Sequence, residues 1–160
     1  MDAMAGLHTV ALRGAAIAPY LEDVARLRIA VFREFPYLYD GDPGYEARYL
    51  QVYVDTPDSV CVLALDGARV VGASTALPLA DEEAGFQQPF LDRGIPVASV
   101  FYLAESVVLP EYRGRGLGHR FFDAREAHAR ALGRFEWTAF AAVDRPPDDP
   151  RRPAGARGND

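Results

Sequence analysis

The feature that most constrains this chain is a glycine-rich turn between an apolar run and a helix-like pattern. The stretch VVLPEYRGRGLGHRFF, residues 107–122, contains glycine at 114, 116 and 118, with arginine between and around these positions. Glycine lets a ligand approach the backbone closely because it carries no Cβ. The first amides of a helix have no acceptor within the helix, so the stretch predicts an anion site at a helix N-terminus.

The spacing excludes the two simplest phosphate-binding motifs. The dinucleotide pattern G-x-G-x-x-G would need a third glycine at the position of His119. A Walker loop needs a lysine, and all 17 basic residues are arginine. The lack of lysine in this sequence also removes Schiff-base chemistry.

Apolar periodicity predicts the element order β-α-α-β-β-β-α-β. Asp66-Gly67 marks a hairpin, whereas residues 80–98 are polar, contain proline and glycine, and are interpreted as an insertion or mobile loop. The predicted segments are a strand at 8–14, a helix from Pro19 through Phe35, a helical face from Tyr45 to Tyr53, strands at 60–65, 69–77 and 99–109, a helix from Gly116 to Leu132 ended by Gly133, and a strand at 135–143.

The residues of the turn resemble the signature of the GNAT superfamily of acetyl-CoA-dependent N-acetyltransferases. That signature is Arg or Gln, two residues, Gly, one residue, then Gly or Ala, and the run from Arg113 to Gly118 matches it. The resemblance extends through element order from about His8 to Val143. It implies an α/β (α+β) fold with a mixed, mostly antiparallel central sheet flanked by helices, in a single acyl-CoA N-acyltransferase domain over residues 1–143.

The same resemblance implies where acetyl-CoA, the acyl donor, would bind. The pyrophosphate would contact the loop and helix start, and the pantetheine arm would pair with the backbone of the preceding strand. The implied cofactor-binding residues are Val107, Val108, Leu109, Arg113, Gly114, Arg115, Gly116, Leu117, Gly118 and His119. The arginine side chains also fit a simpler interpretation as solvated surface residues.

Acyl transfer to an amine needs a group that removes a proton from the ammonium, and Glu105 is the best candidate. It is the only acidic residue in the β-rich run SVFYLAESVVL, where an unpartnered carboxylate is costly. Strict alternation groups Glu105 with Phe101, Leu103 and Val107, and groups Tyr102 with Ser106 on the other face. A bulge would reset this parity, so the face of Glu105 stays open, and Tyr102 and Ser106 are the second candidates.

Two departures from the family pattern keep other functions open. The family often protonates the CoA thiolate with a tyrosine on the helix after the fifth strand, and no tyrosine follows Tyr112 here. The chain also looks truncated at the C-terminus, with residues 144–160 expected to be flexible or incomplete. The alternatives to an N-acetyltransferase are therefore a CoA-binding or sensory protein without turnover, or a plain interaction domain, and an exposed last strand favours a possible homodimer.

Composition limits the partners. A net charge of −6 disfavours nucleic acid and leans towards a cationic acceptor, a primary amine of a small molecule or peptide. The sequence lacks a membrane-spanning stretch and a signal peptide pattern, so we expect a cytoplasmic protein with no membrane partner. The histidines have no metal-ligand spacing, so no metal is expected, and Cys61 fits a small buried hydrophobe. The family resemblance implies an acceptor pocket near Phe35, Tyr37, Tyr39 and Asp40, although helix packing is the more common role for such aromatics and a turn for such an aspartate.

Overall fold

The computed structural model describes residues 6–34 and 40–141, which form a five-stranded sheet with helices on both faces. The first four strands are antiparallel neighbours in chain order, and the last strand is parallel to the fourth. The strands are β1 Leu7–Leu12, β2 Val60–Asp66, β3 Arg69–Pro78, β4 Val100–Val108 and β5 Trp137–Ala139. The predicted mixed, mostly antiparallel α/β architecture is thereby confirmed.

Four α-helices lie within residues 6–34 and 40–141, and a 3-10 helix over Gly14–Tyr20 precedes the first of them. They are α1 Leu21–Phe32, α2 Pro43–Asp55, α3 Ala84–Asp92 and α4 Leu117–Leu132. One apolar core cluster contains residues of α1 and α2 together with one face of the sheet, and a second contains residues of α4 and the other face. The core therefore has two layers of helix with the sheet between them.

Apolar periodicity predicted α1, α2 and α4. Val24 and Leu27 of the predicted α1 stripe are buried, and α4 ends at Leu132 with Gly133 in the left-handed conformation at φ 74°. The predicted hairpin also forms, because Gly67 adopts φ 60° between β2 and β3. The start of α1 shifts to Leu21 because Pro19 lies inside the 3-10 helix.

The interpretation of residues 80–98 as an insertion or mobile loop is wrong, because α3 occupies nine of these positions. The Gln87 side chain links this helix to the residues before it. It donates to the carbonyl oxygens of Leu79, Ala80 and Glu82 at 3.2, 3.3 and 2.9 Å. Phe90 packs against the α1/α2 core cluster, which supplies the apolar contact that the polar composition concealed. Pro89, one of the prolines behind that interpretation, lies inside this short helix.

Several predictions fall on residues that the structure does not describe. These are the aromatic candidates Phe35, Tyr37 and Tyr39, and the C-terminal segment 144–160. Asp40 is described and is exposed. Within the described ranges, no helix is long and apolar enough to cross a bilayer.

Candidate active site

The glycine-rich turn borders a cavity of about 670 Å³ at the start of α4. Seven of the ten predicted cofactor-binding residues line it, and Val107, Leu109 and Arg115 do not. Val107 instead packs in the core at 2% exposure. The lining residues are Val108, Tyr112, Arg113, Gly114, Gly116, Leu117, Gly118, His119 and Phe122.

Backbone conformation, rather than crowding, explains the glycines of this turn. Gly114 and Gly116 adopt φ 77° and 80°, values that residues with a Cβ rarely adopt. A Cβ at Gly116 or Gly118 would meet no protein atom within 4 Å, so the space beside them is open. The first α4 amide bonded to a carbonyl there is that of Arg120, which donates to Gly116 at 3.2 Å. The amides of Leu117, Gly118 and His119 precede it and are available to an anion.

The arginine side chains of the turn are engaged in holding its shape. Arg113 donates from Nε to the Val108 carbonyl at 3.0 Å and from Nη1 to Glu34 Oε2 at 3.3 Å. Arg115 donates from Nη2 to the Glu111 carbonyl at 2.9 Å. Both guanidiniums add positive potential, but the groups best placed to bind an anion directly are the backbone amides.

A second cavity of about 600 Å³ adjoins the first and contains all three candidate catalytic residues. Gly118 and Phe122 line both cavities, so the two adjoin, and together they are called the groove. The groove follows the edge of β4, where β5 pairs only as far as Tyr102. The second cavity is lined by Arg28, Phe32, Tyr45, Phe86, Tyr102, Leu103, Ala104, Glu105, Ser106, Gly118, Phe122, Arg125, Phe140 and Ala141.

A bulge in β4 decides the direction of Glu105. Thr75 of β3 pairs with Glu105 and the next residue, Ala76, pairs with Leu103, so Ala104 is an extra residue. Beyond the bulge, the odd-numbered residues of β4 face α1 and α2, as the even-numbered ones do before it. Glu105 therefore lies on the same face of the sheet as Tyr102. A bulge was the condition that left the face of Glu105 open, and it separates Glu105 from Phe101 and Leu103. Ser106 lies on the α4 face, away from Tyr102, with its hydroxyl 3.1 Å from that of Ser74.

Glu105 belongs to a buried charge cluster with residues of α1 and α2. Arg28 forms ion pairs with Glu46 through Nε and with Glu105 through Nη1. The side chains of Arg28, Glu46 and Glu105 are 6%, 0% and 25% exposed, so only Glu105 has substantial access to solvent. The Arg28 guanidinium also lies 4.2 Å from the ring centroid of Tyr49. One guanidinium shared by two carboxylates fixes the Glu105 carboxylate at the cavity wall.

Arg125 of α4 approaches the same bulge from the other face. Its guanidinium donates to the carbonyls of Thr75 and Glu105 at 3.3 and 3.4 Å and to the Ser106 hydroxyl at 3.1 Å. The ladder is broken at the bulge, so these contacts satisfy backbone groups that a regular sheet would pair. Burial lowers the pKa of Arg125 to about 10, which leaves it protonated at neutral pH.

Burial also keeps other nearby groups neutral. It raises the pKa of the Tyr102 hydroxyl, with a smaller contribution from the Glu82 carboxylate, so Tyr102 remains a hydrogen-bond donor at neutral pH. Burial raises the pKa of Cys61 to about 12, which agrees with its interpretation as a buried hydrophobe. Within the described ranges, no group of three or more His, Cys, Asp or Glu side chains is arranged to hold a metal ion.

Sequence reasoning missed three residues of this site, namely Arg28, Glu46 and Arg125. All three are charged residues on the buried faces of amphipathic helices. Arg28 is four residues after the buried Val24, and Arg125 is four residues after the buried Phe121. A charged residue on a core-facing helical stripe was thus the signal available in the sequence.

Comparison with known proteins identifies the class to which this fold and groove belong. A family model described as the acetyltransferase (GNAT) family matches residues 24–149. The chain therefore belongs to the GNAT acetyltransferase family, which confirms the resemblance seen in the turn. No curated protein sequence matches it.

Solved structures of acetyltransferases share the fold. An aminoglycoside acetyltransferase from an uncultured soil metagenomic sample, in complex with trehalose, is 18% identical with a TM-score of 0.58, over 86% of this chain and 78% of that chain. An aminoglycoside N-acetyltransferase in complex with CoA is 16% identical with a TM-score of 0.58, over 86% and 77%. A possible acetyltransferase from Clostridium difficile 630 is 11% identical with a TM-score of 0.60, over 86% and 80%.

Proposed function

We propose that this protein transfers an acetyl group from acetyl-CoA to a primary amine of a small molecule or peptide by direct attack. The observation that carries the proposal is the groove of two adjoining cavities, with a helix N-terminus at one end and the Glu105 carboxylate at the other. An anion-binding turn and a proton acceptor at the two ends of one groove fit a donor with a diphosphate and a distant thioester. Family membership supports the same donor.

The loop end would hold the diphosphate through backbone amides. Leu117, Gly118 and His119 present amides with the helix dipole behind them, which favours negative charge. The β4 edge beyond Tyr102 has no strand partner among the described residues, so it can pair with the amide groups of a pantetheine arm. Arg113 already occupies the Val108 carbonyl, so the neighbouring backbone groups would make that pairing.

Glu105 acts as the proton acceptor in this proposal. The carboxylate takes one proton from the ammonium, and the neutral nitrogen forms a bond to the acetyl carbon. The carbon–sulfur bond breaks, the sulfur leaves as thiolate, and the proton lost by the new amide nitrogen neutralises it. Glu105 then returns its proton to water, so the net products are an acetamide, free CoA and one proton.

The other candidates serve as positioning groups. The protonated Tyr102 hydroxyl can donate a hydrogen bond within the cavity, and the Ser106 hydroxyl is held by Arg125 on the opposite side. Aminoglycosides belong in the panel of acceptors, because two structural neighbours are described as aminoglycoside acetyltransferases.

Two measurements test the proposal. Calorimetry should detect binding of acetyl-CoA, and a thiol reagent should detect CoA release when amines are added. The release should depend on the amine and exceed the slow hydrolysis seen without it. Tight binding of acetyl-CoA with no amine-dependent release across small amines, amino acids, polyamines, aminoglycosides and peptides would contradict transfer.

A further inference from the structure

The exposed aromatic rings of this protein are gathered at one cavity. Five aromatic side chains are markedly exposed among the described residues, and Tyr45, Phe86, Phe122 and Phe140 all line the cavity that contains Glu105. Trp137 is the remaining one. Rings left in water cost free energy, and their clustering at a concave site indicates a surface that an apolar ligand covers.

The rings divide between the two sides of the cavity. Phe122 also lines the loop cavity and therefore lies on the side that the proposed donor would occupy. Phe32, Tyr45, Phe86 and Tyr102 come from four different elements on the side of Glu105. The Phe86 and Tyr102 rings contact each other, with centroids 5.7 Å apart at an angle of 52°. The acceptor side is thus an aromatic pocket with a carboxylate in its wall.

The charged side chains at this pocket favour the binding of one cation. Glu105 is the sole acidic side chain among the described residues that line the cavity. The cluster behind it contains one guanidinium, on Arg28, and two carboxylates, on Glu46 and Glu105, so one negative charge is unbalanced. Because Glu46 is fully buried, that charge is accessible only at Glu105.

A second cation in the pocket would meet a fixed positive charge. Arg125 lines the same cavity, and the hydrogen-bond acceptors that the described residues offer it are uncharged. Like charges in a partly desolvated cavity repel each other more strongly than in water. The pocket therefore attracts one ammonium at Glu105 and disfavours another near Arg125.

We propose that the acceptor is an amine with a single positive charge attached to a flat apolar ring, and that a polycation is a poor acceptor. This proposal rests on the function proposed above and adds the class of substrate. The ammonium would lie at Glu105, and the ring would pack among Phe86, Tyr102 and Tyr45.

Three simple amines separate the contributions of ring and charge. 2-Phenylethylamine has one cation and a ring, ethylamine has the cation alone, and 1,4-bis(aminomethyl)benzene has the ring and a second cation. With kcat/KM expressed per neutral amine, 2-phenylethylamine should exceed ethylamine by about 10- to 100-fold, as expected for burial of one phenyl ring. The diamine should be at least about fivefold worse than 2-phenylethylamine, and kanamycin should be worse still.

A pair of variants on one helix locates the ring. Phe86→Ala should reduce the preference for 2-phenylethylamine over ethylamine by at least about fivefold, because the ring loses one wall of its pocket. Leu91→Ala is the matched control, since Leu91 is also exposed on α3 but does not line the cavity. A preference that is unchanged in Phe86→Ala, or equally reduced in Leu91→Ala, would overturn the assignment.

Calorimetry with CoA-saturated protein distinguishes failure of this inference from failure of the proposed function. If 2-phenylethylamine binds better than ethylamine and the diamine but is not acetylated, the pocket assignment holds and transfer to such amines is contradicted. If the diamine or kanamycin is acetylated more efficiently than 2-phenylethylamine, transfer holds and the single-charge aromatic acceptor is overturned. Equal binding of all the amines also overturns it.

Discussion

The two ends of the groove are built from different parts of the polypeptide. The loop end uses neighbouring residues between Val108 and Phe122, and its binding groups are mainly backbone amides. The other end uses buried side chains of α1, α2, β4 and α4, such as Arg28 and Glu46, which are 18 residues apart. Anion recognition therefore depends on local backbone shape, whereas the proposed acid–base chemistry depends on charges that only the complete fold brings together.

Removal of the shared guanidinium should give the largest effect on stability. Arg28→Met leaves the carboxylates of Glu46 and Glu105 side by side with no cation, which costs about 3–5 kcal/mol of unfolding free energy in comparable buried pairs. Urea denaturation measures this loss. Arg26→Met on the same helix is the control, because Arg26 is mostly exposed and its pair with Asp23 contributes about 1 kcal/mol or less.

A double variant sharpens the interpretation. Arg28→Met combined with Glu46→Gln removes the fully buried carboxylate and should recover most of the lost stability. Equal stability of Arg28→Met and Arg26→Met would show that the cluster does not hold this end of the site.

At the loop end, the strongest expected effect is on donor binding. Gly116→Glu forces a side chain into φ 80° and places a carboxylate where the diphosphate would bind. One such repulsion near a protein surface is worth about 4 kcal/mol, so acetyl-CoA affinity should fall about 1000-fold. Gly133→Glu is the matched control, because Gly133 has φ 74° and open space at the other end of α4. Calorimetry should show that Gly133→Glu binds acetyl-CoA as tightly as the parent protein does, despite similar backbone strain.

Glu105→Gln tests whether turnover at one end of the groove can be lost while acetyl-CoA binding at the other end is kept. The amide keeps the shape of the side chain but cannot accept the ammonium proton, so kcat should fall by about 100-fold or more. Acetyl-CoA affinity should change little because the diphosphate site is at the other end of the groove. Ser106→Ala is the comparison variant, because Ser106 follows Glu105 in β4 and lies on the opposite face of the sheet. A glutamine variant with normal turnover would exclude Glu105 as the proton acceptor.

The smallest expected effect concerns the half-buried carboxylate of Glu82, just after the 3-10 helix Leu79–Asp81 that follows β3. Burial raises the pKa of Glu82, so the folded state binds its proton more tightly than the unfolded state. Its contribution to stability is then greatest below the unfolded pKa and declines as pH rises towards the folded value. Glu82→Gln should therefore be slightly more stable than the parent at pH 7 and not at pH 4. Thermal denaturation of both proteins at pH 4 and at pH 7 checks the direction of this stability difference.

The contrast between local backbone shape and long-range contacts explains which features could be predicted from the sequence. The turn from Arg113 to Gly118, the helix after it and the hairpin at Gly67 follow from local conformational preferences and were predicted. The direction of Glu105 depends on one extra residue, Ala104, that no local pattern marks. The helix α3 was missed because its apolar contacts are few and Pro89 lies within it.

The buried arginines show a different limit. Periodicity identifies the core-facing stripe, but a charged residue on that stripe gives no indication of its partner. Arg28 finds Glu46 on the next helix and Glu105 on a distant strand, and Arg125 finds backbone carbonyls at a bulge. Such partners are fixed by the packing of elements far apart in the chain, so they become visible only in three dimensions.

The extra residue in β4 has a consequence for deletions as well as for substitutions. Shortening the strand by Ala104 alone would leave Leu103 opposite Ala76 and Glu105 opposite Thr75, so the carboxylate would keep its present face. The Thr75 and Glu105 carbonyls could then pair within a regular ladder, and the Arg125 guanidinium would lose two of its acceptors. Loss of this one methyl-bearing residue would thus spare the carboxylate and instead disturb the arginine on the opposite side of the sheet.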